Sequence, residues 1–197
     1  VSGISATQGQ LTVGNPVPIY LEGVGSAPGV LMLLYCSNAA MVSEDEIRGG
    51  AVKGGGRRVW LTRSFDEGLQ WSEPEELTSV VKRAHWTWYA TGPGGAIRMS
   101  NGTIVVPATH ADRVGEVGSG GDHSHLILSH DEGATWQLGA DGDTHSNEAT
   151  VAQLADGSLL LNARDLSIKR RRILQRSTDG GGSWSHPWSS DELAESP

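Results

Sequence analysis

Short apolar runs alternate with turn-forming residues along most of the chain, and few of them are spaced as an amphipathic helix requires. Residues 96–99 and 103–106 flank Asn101-Gly102, and residues 149–154 and 158–161 flank Asp156-Gly157. Asn-Gly and Asp-Gly between apolar runs are the strongest short signals of a hairpin. Residues 16–20 and 30–35 flank Pro28-Gly29 in the same way. A third run follows each pair, at residues 58–62, 125–128 and 172–176, and a fourth leaves from a tryptophan. The pattern predicts three four-stranded antiparallel meanders, with helical periodicity only in a weak stretch at residues 76–81.

One eight-residue phrase punctuates the three units. It reads Ser64-Phe-Asp66-Glu-Gly68-Leu-Gln-Trp71, then Ser129-His-Asp131-Glu-Gly133-Ala-Thr-Trp136, then Ser177-Thr-Asp179-Gly-Gly181-Gly-Ser-Trp184. Ser and Asp side chains bond nearby backbone N–H groups, and Gly supplies the left-handed conformation of a tight turn. Each copy is therefore expected to close one hairpin, with the Trp starting the next strand and covering the turn. Repeated four-stranded units imply an all-β propeller, which closes with about four to eight blades. Three units and a leading strand at residues 10–13, which could end an earlier blade, leave raw edges. The expectation is one propeller domain over residues 1–197, itself a piece of a longer protein.

The formal net charge of −8 disfavours nucleic acid or an anionic membrane as main partner. The single cysteine, Cys36, permits no internal disulfide, and no apolar run approaches the ~18 residues of a membrane span. Gly49-Gly50 and Gly54-Gly55-Gly56 predict a flexible loop between the second and third strands of the first unit.

In a meander the phrases and the Asn-Gly and Asp-Gly turns share one end, so the longer loops at residues 37–57, 111–124 and 165–171 share the other. Function is expected there. A two-residue loop at Asp156-Gly157 pairs Ala155 with Ser158 and brings Ala149 opposite Arg164, so Glu148 and Arg164 meet at the open end. Such a pair is either a proton acceptor with an anion clamp or a structural ion pair at a strand end. The same construction on Asn101-Gly102 places Pro93-Gly94 opposite His110 and Thr109, and puts the Trp88–Gly94 loop on that face.

Trp88-Tyr89-Ala-Thr-Gly92-Pro93-Gly94, Asn147-Glu148 and Asn162-Ala163-Arg164 carry a resemblance, joined by Gly14-Asn15-Pro16, Leu34-Tyr35-Cys36 and Ser43-Glu44-Asp45. The chain resembles the bacterial-type exo-α-sialidases (neuraminidases), six-bladed β-propellers whose repeated phrase is the Asp-box. The resemblance implies a retaining glycoside hydrolase that removes terminal sialic acids from a sialylated glycan with a tyrosine nucleophile, and needs no metal or organic cofactor. By motif, Glu148 matches the partner of the nucleophile and Arg164 the middle one of three arginines that grip the substrate carboxylate. Glu44 resembles a position facing the substrate's side groups. Tyr89 falls in a pocket wall, and Thr109 and His110 fall where the family varies its pocket. The first arginine, the Asp acid/base, the third arginine and the nucleophile have no match here and are expected outside these residues. Gly95 stands where many relatives carry His.

Other signals are weaker. His123-Ser-His125 could be a metal pair, but no third ligand is placed. Lys169–Arg172 reads as a solvated cationic loop, or as help in steering an anionic sugar, rather than as a nucleic-acid patch. Asp-boxes also occur in propellers that bind sugar or protein without catalysis, which is the competing reading of the whole chain.

Overall fold

The computed structural model describes residues 10–23, 28–52, 56–112, 121–167 and 171–195. Residues 54 and 55 of the glycine-rich loop, most of the loop after Ala111, and Lys169-Arg170 lie outside the described residues. Among the described residues the chain is all-β apart from two short helices, and the strands form three antiparallel sheets.

The first sheet runs in chain order through β1 (Leu11–Leu21), β2 (Val30–Ala39), β3 (Arg58–Ser64) and the two-residue β4 (Glu75–Glu76). Residues 10–13 do not belong to a separate unit, because β1 pairs with β2 from Leu11↔Ala39 to Leu21↔Val30, interrupted by a bulge between Gly14 and Val17. Helix α1 (Glu44–Arg48) interrupts the β2–β3 connection. It starts at a capping box: Ser43 Oγ accepts from the Glu46 N–H, and the Glu46 carboxylate accepts from the Ser43 N–H at 2.8 Å. Helix α2 (Thr78–Val81) falls in the weakly periodic stretch.

The second sheet holds β5 (Trp86–Thr91), β6 (Ile97–Arg98), β7 (Ile104–Asp112), β8 (Asp122–Ser129) and β9 (Gln137–Thr144). Both β5 and β6 pair with β7. The Trp88–Gly94 stretch, expected as a loop, begins as strand, buried on both faces and so lacking the alternation that marks a half-exposed one. The third sheet holds β10 (Ser146–Gln153), β11 (Leu159–Asp165), β12 (Arg171–Ser177) and β13 (Trp188–Ala194), in that order.

The three Asp-box turns are built alike. Ser64, Ser129 and Ser177 each donate to the following Asp at 2.7–2.9 Å and accept from the Gly N–H at 2.8 Å. Each Asp Oδ1 then accepts from the backbone N–H four residues on, at 2.8–2.9 Å. The hydroxyls of Thr135 and Ser183, which donate to Asp131 and Asp179 Oδ2 at 2.6 Å, together with these bonds hold both carboxyls down at about 2. Gly133 has φ 85°, and a Cβ there would lie 2.7 Å from Met32 Sδ and Cε, so any side chain would be strained in the turn and would displace the end of Met32. A strand follows the Trp directly only at Trp136; short gaps precede β4 after Trp71 and β13 after Trp184.

The hairpin register differs by one residue from the expected one. Leu154 N–H donates to Ser158 O and Gln153 pairs with Leu159, so three residues form the loop, with Gly157 left-handed at φ 87°. Met99 and Thr103 close the Asn101-Gly102 hairpin identically. Three-residue loops ending in a left-handed Gly are the alternative to two-residue turns.

Two apolar layers join the sheets. Val17, Leu34, Cys36 and Leu61 of the first sheet pack with Trp86, Tyr89, Val106 and Ile127 of the second. Val105, Leu126 and Leu128, on the second sheet's other side, pack with Ala149, Val151, Leu161 and Ile173 of the third. Alternate residues of β7 thus serve opposite neighbours, which is why its first half, residues 104–108, reads as a continuous apolar run.

Candidate active site

Glu148 and Arg164 meet at the end opposite the Asp-box turns. The observed register sets Ala149 against Ala163, so the two residues one step further out stand side by side. Arg164 Nη1 donates to Glu148 Oε2 at 3.3 Å, and the two side chains are 43% and 39% exposed. A carboxylate that can take a proton and a guanidinium with most of its donors unspent are therefore open to a ligand together.

Both backbone polar groups of Glu148 are held by side chains. The β10–β11 ladder shifts between Ser146 and Ala149, and the Glu148 N–H donates to Asn147 Oδ1 at 2.8 Å. Arg172 Nη2 reaches Glu148 O at 3.4 Å, while its Nε and Nη2 hold Asn162 and its Nη1 pairs with Glu195 at 2.9 Å. Arg172, expected in a solvated loop, is instead an inward brace beside the pair.

Buried Asn147 donates from Nδ2 to Asp122 Oδ1 at 3.0 Å, and Arg48 Nη1 donates to the same oxygen at 2.8 Å. Arg48 Nε holds Glu44 Oε1 at 2.7 Å, so half-exposed Glu44 joins this network rather than standing alone. Burial works against the Arg48 charge, but the hydrogen bonds and charges of Asp122 and Glu44 outweigh it and hold the guanidinium more firmly protonated than usual. The Arg48 guanidinium lies 5.4 Å and that of Arg57 4.4 Å from the Trp88 ring centre.

Tyr89, Thr109 and His110, expected to line a pocket, are all buried. The register explains this: Tyr89 pairs with His110 and Ala90 with Thr109, in place of the expected Pro93-Gly94. Tyr89 Oη lies 2.9 Å from His125 Nε2, and His125 Nδ1 lies 3.0 Å from His110 Nδ1. His110 stacks on Trp86 with ring centres 3.5 Å apart. Burial first, and neighbouring charge second, depress both histidines, His125 to about 3, and burial raises the Tyr89 hydroxyl well above its usual range. The His123/His125 pair is thus not a paired metal site, since His125 is spent on Tyr89 and His110, and His123 turns Nδ1 to Gly142 O at 3.3 Å. Among the described residues no group of three or more His, Cys, Asp or Glu is gathered as a metal ion needs, and no helix is long and apolar enough to cross a membrane.

The chain is also similar to known proteins. The BNR repeat-like domain matches residues 4–193. A sialidase of Bacteroides fragilis (strain YCH46) is 34% identical over 137 residues, covering 69% of this chain and 24% of the relative. An exo-alpha-sialidase of Aspergillus fumigatus is 29% identical over 183 residues, covering 88% and 41%. Mouse (Mus musculus) sialidase-3 is 30% identical over 194 residues, covering 92% and 44%. The chain thus spans less than half the length of each of these relatives. Among solved structures, the Hadza microbial sialidase Hz136 superposes with a TM-score of 0.75 at 26% identity, over 94% of this chain and 34% of that one. Trypanosoma rangeli sialidase in complex with the inhibitor DANA gives 0.69 at 23% identity, over 92% and 29%, a likeness of fold.

Proposed function

From the premise that this chain belongs to the BNR repeat-like domain family, we propose that it forms the centre of an exo-α-sialidase, hydrolysing terminal sialic acids of glycoproteins, glycolipids or oligosaccharides. In this reading the three sheets are three blades of a single six-bladed propeller domain. The observation that carries it is the Glu148–Arg164 pair, half-exposed at the end opposite the Asp-box turns.

The roles follow from the side chains. A neutral phenol is a weak nucleophile, and a carboxylate beside it can take its proton. Glu148 does this for a tyrosine supplied from outside the 197 residues, and returns the proton when the tyrosyl–sugar bond is broken by water. Arg164 contributes part of the grip on the sialate carboxylate, which a planar guanidinium meets with two parallel hydrogen bonds. Glu44 faces the side groups of the sugar. Tyr89, Thr109 and His110 shape the pocket from beneath, as buried support for the strands that carry it.

Hydrolysis of a fluorogenic α-sialoside by the full-length gene product tests the proposal. Release of the fluorophore is the expected result. A well-folded full-length protein that binds sialosides without turning them over would establish the non-catalytic propeller instead.

A further inference from the structure

We propose that Arg48, Asp122 and Asn147 form a positioning relay that fixes the orientation of Glu148 from three sheets at once; the proposal rests on the reading of Glu148 as the proton acceptor. Glu148 sits where the β10–β11 ladder is broken, so no regular strand pairing fixes its backbone. Its N–H is held instead by Asn147 Oδ1 at 2.8 Å. Rotation of the Asn147 amide is in turn set by its Nδ2, which must reach Asp122 Oδ1 at 3.0 Å.

Asp122 opens β8 in the second sheet, and its side chain is 6% exposed. A carboxylate this buried is costly without a partner. Its partner, Arg48, comes from α1, in the connection between strands of the first sheet. Arg48 is aimed by Glu44 at Nε and by Asp122 at Nη1, so both sides of its fork are engaged. The polarity of the chain is fixed: Arg48 can only donate, Asp122 accepts from both neighbours, and the Asn147 oxygen is left for the Glu148 N–H. Asp122 and Asn147 are buried and the Arg48 side chain is 14% exposed, whereas Glu44, which aims Arg48, is half-exposed. They are positioning residues, acting through Glu148. A small misplacement of a reacting group can cost about a hundredfold in rate, which gives such a relay something to protect.

The test uses the full-length enzyme with a fluorogenic sialoside, and separates kcat from KM. Asn147→Asp sets two carboxylates against each other and breaks the relay. It is expected to lower kcat by about tenfold or more with KM within about twofold of wild type. Adding Asp122→Asn exchanges donor and acceptor. Both wild-type partners meet the one oxygen Asp122 Oδ1, so the amide now at position 122 must turn to set its oxygen on Arg48 and its nitrogen on the carboxylate at position 147. That carboxylate still accepts from the Glu148 N–H. The double variant is expected to recover kcat to within about threefold of wild type. Merely structural damage would not be rescued in kcat by this exchange. Should Asn147→Asp fold poorly, Arg48→Lys keeps the charge but cannot hold Glu44 and Asp122 through a fork, and a several-fold fall in kcat is expected. Wild-type kcat in Asn147→Asp or in Arg48→Lys, or a double variant as slow as the single, overturns the relay. Glu148→Gln run alongside separates the two levels: if it too retains wild-type kcat, the assignment of Glu148 fails, and if it is inactive while the relay variants are not, the relay alone fails.

Discussion

The two ends of the sheets are built by opposite rules. At the turn end the Ser, Asp and Gly groups that shape each Asp-box bond residues two to four apart in sequence, while outer groups such as Gly133 O and Gly181 O take bonds from other segments. At the open end the bonds run between residues far apart: Arg164 to Glu148 across sixteen positions, Asn147 to Asp122 across twenty-five, Arg48 to Asp122 across seventy-four. A turn whose shape is set within eight residues can be repeated along the chain. A site assembled from three sheets exists only when the sheets are packed, and the packing layers between them are what connect fold to function.

The comparison can be broken first at the open end. Arg164→Ala leaves every described turn intact, and is expected to lower kcat/KM on a sialoside by about a hundredfold, mostly through weaker binding of sialate, since two charge-assisted hydrogen bonds are lost. Steady-state kinetics on the full-length protein check this, and an unchanged KM for sialoside would remove Arg164 from the carboxylate grip.

Leu161→Ala attacks the layer between the second and third sheets. The side chain is fully buried, and its loss is expected to cost about 2–4 kcal/mol of stability. Denaturant unfolding measures it. Because the site is assembled across sheets, activity should fall at a lower temperature than in the wild type, and equal melting of both proteins would mean the layer is not what holds the site.

Gly133→Ala is the corresponding cut at the turn end. It forces a side chain into a left-handed turn against Met32 and is expected to cost about 1–2 kcal/mol, with kcat at low temperature unchanged. A fall in kcat per folded molecule would show that the two ends are coupled after all.

The pH dependence separates the same regions. His110 and His125 have folded pKa values depressed by burial, His125 to about 3, so the folded state favours their neutral forms. Their contribution is complete above the unfolded value of about 6.5 and is lost as pH falls below it toward about 3. The Asp131 and Asp179 carboxyls, held near 2, favour the charged form in the folded state, so their contribution is complete above about 4 and is lost only as pH falls toward 2. Melting temperature should therefore begin to decline below about 6.5, from the layer between the first and second sheets. A flat profile between about pH 6.5 and 5 would contradict the assignment of neutral, buried histidines.

What the sequence discloses divides along the same line. The Ser–Asp–Gly core of each Asp-box turn is legible, because these residues determine one another within eight positions, but the strand expected to start at the Trp follows directly only at Trp136. Most strands are legible too, as is the meeting of Glu148 with Arg164, whose positions follow from one hairpin. The register is not, since Asp156-Gly157 fits a two-residue turn as well as the three-residue one that Gly157 closes. The strand Trp86–Thr91 is hidden by burial on both faces, and the burial of Tyr89, Thr109 and His110 goes with it. Arg48 and Asp122 carry no local signal, because nothing in either neighbourhood names a partner seventy-four residues away.

The most direct test of the account is kcat for a fluorogenic α-sialoside, measured on the full-length protein and on its Glu148→Gln variant, with folding of both verified by circular dichroism. The account predicts turnover in the wild type and a loss of about 10²–10⁴-fold in the variant, the size expected when a proton acceptor is removed. Equal turnover in the two proteins would contradict the assignment of the open end as the catalytic site.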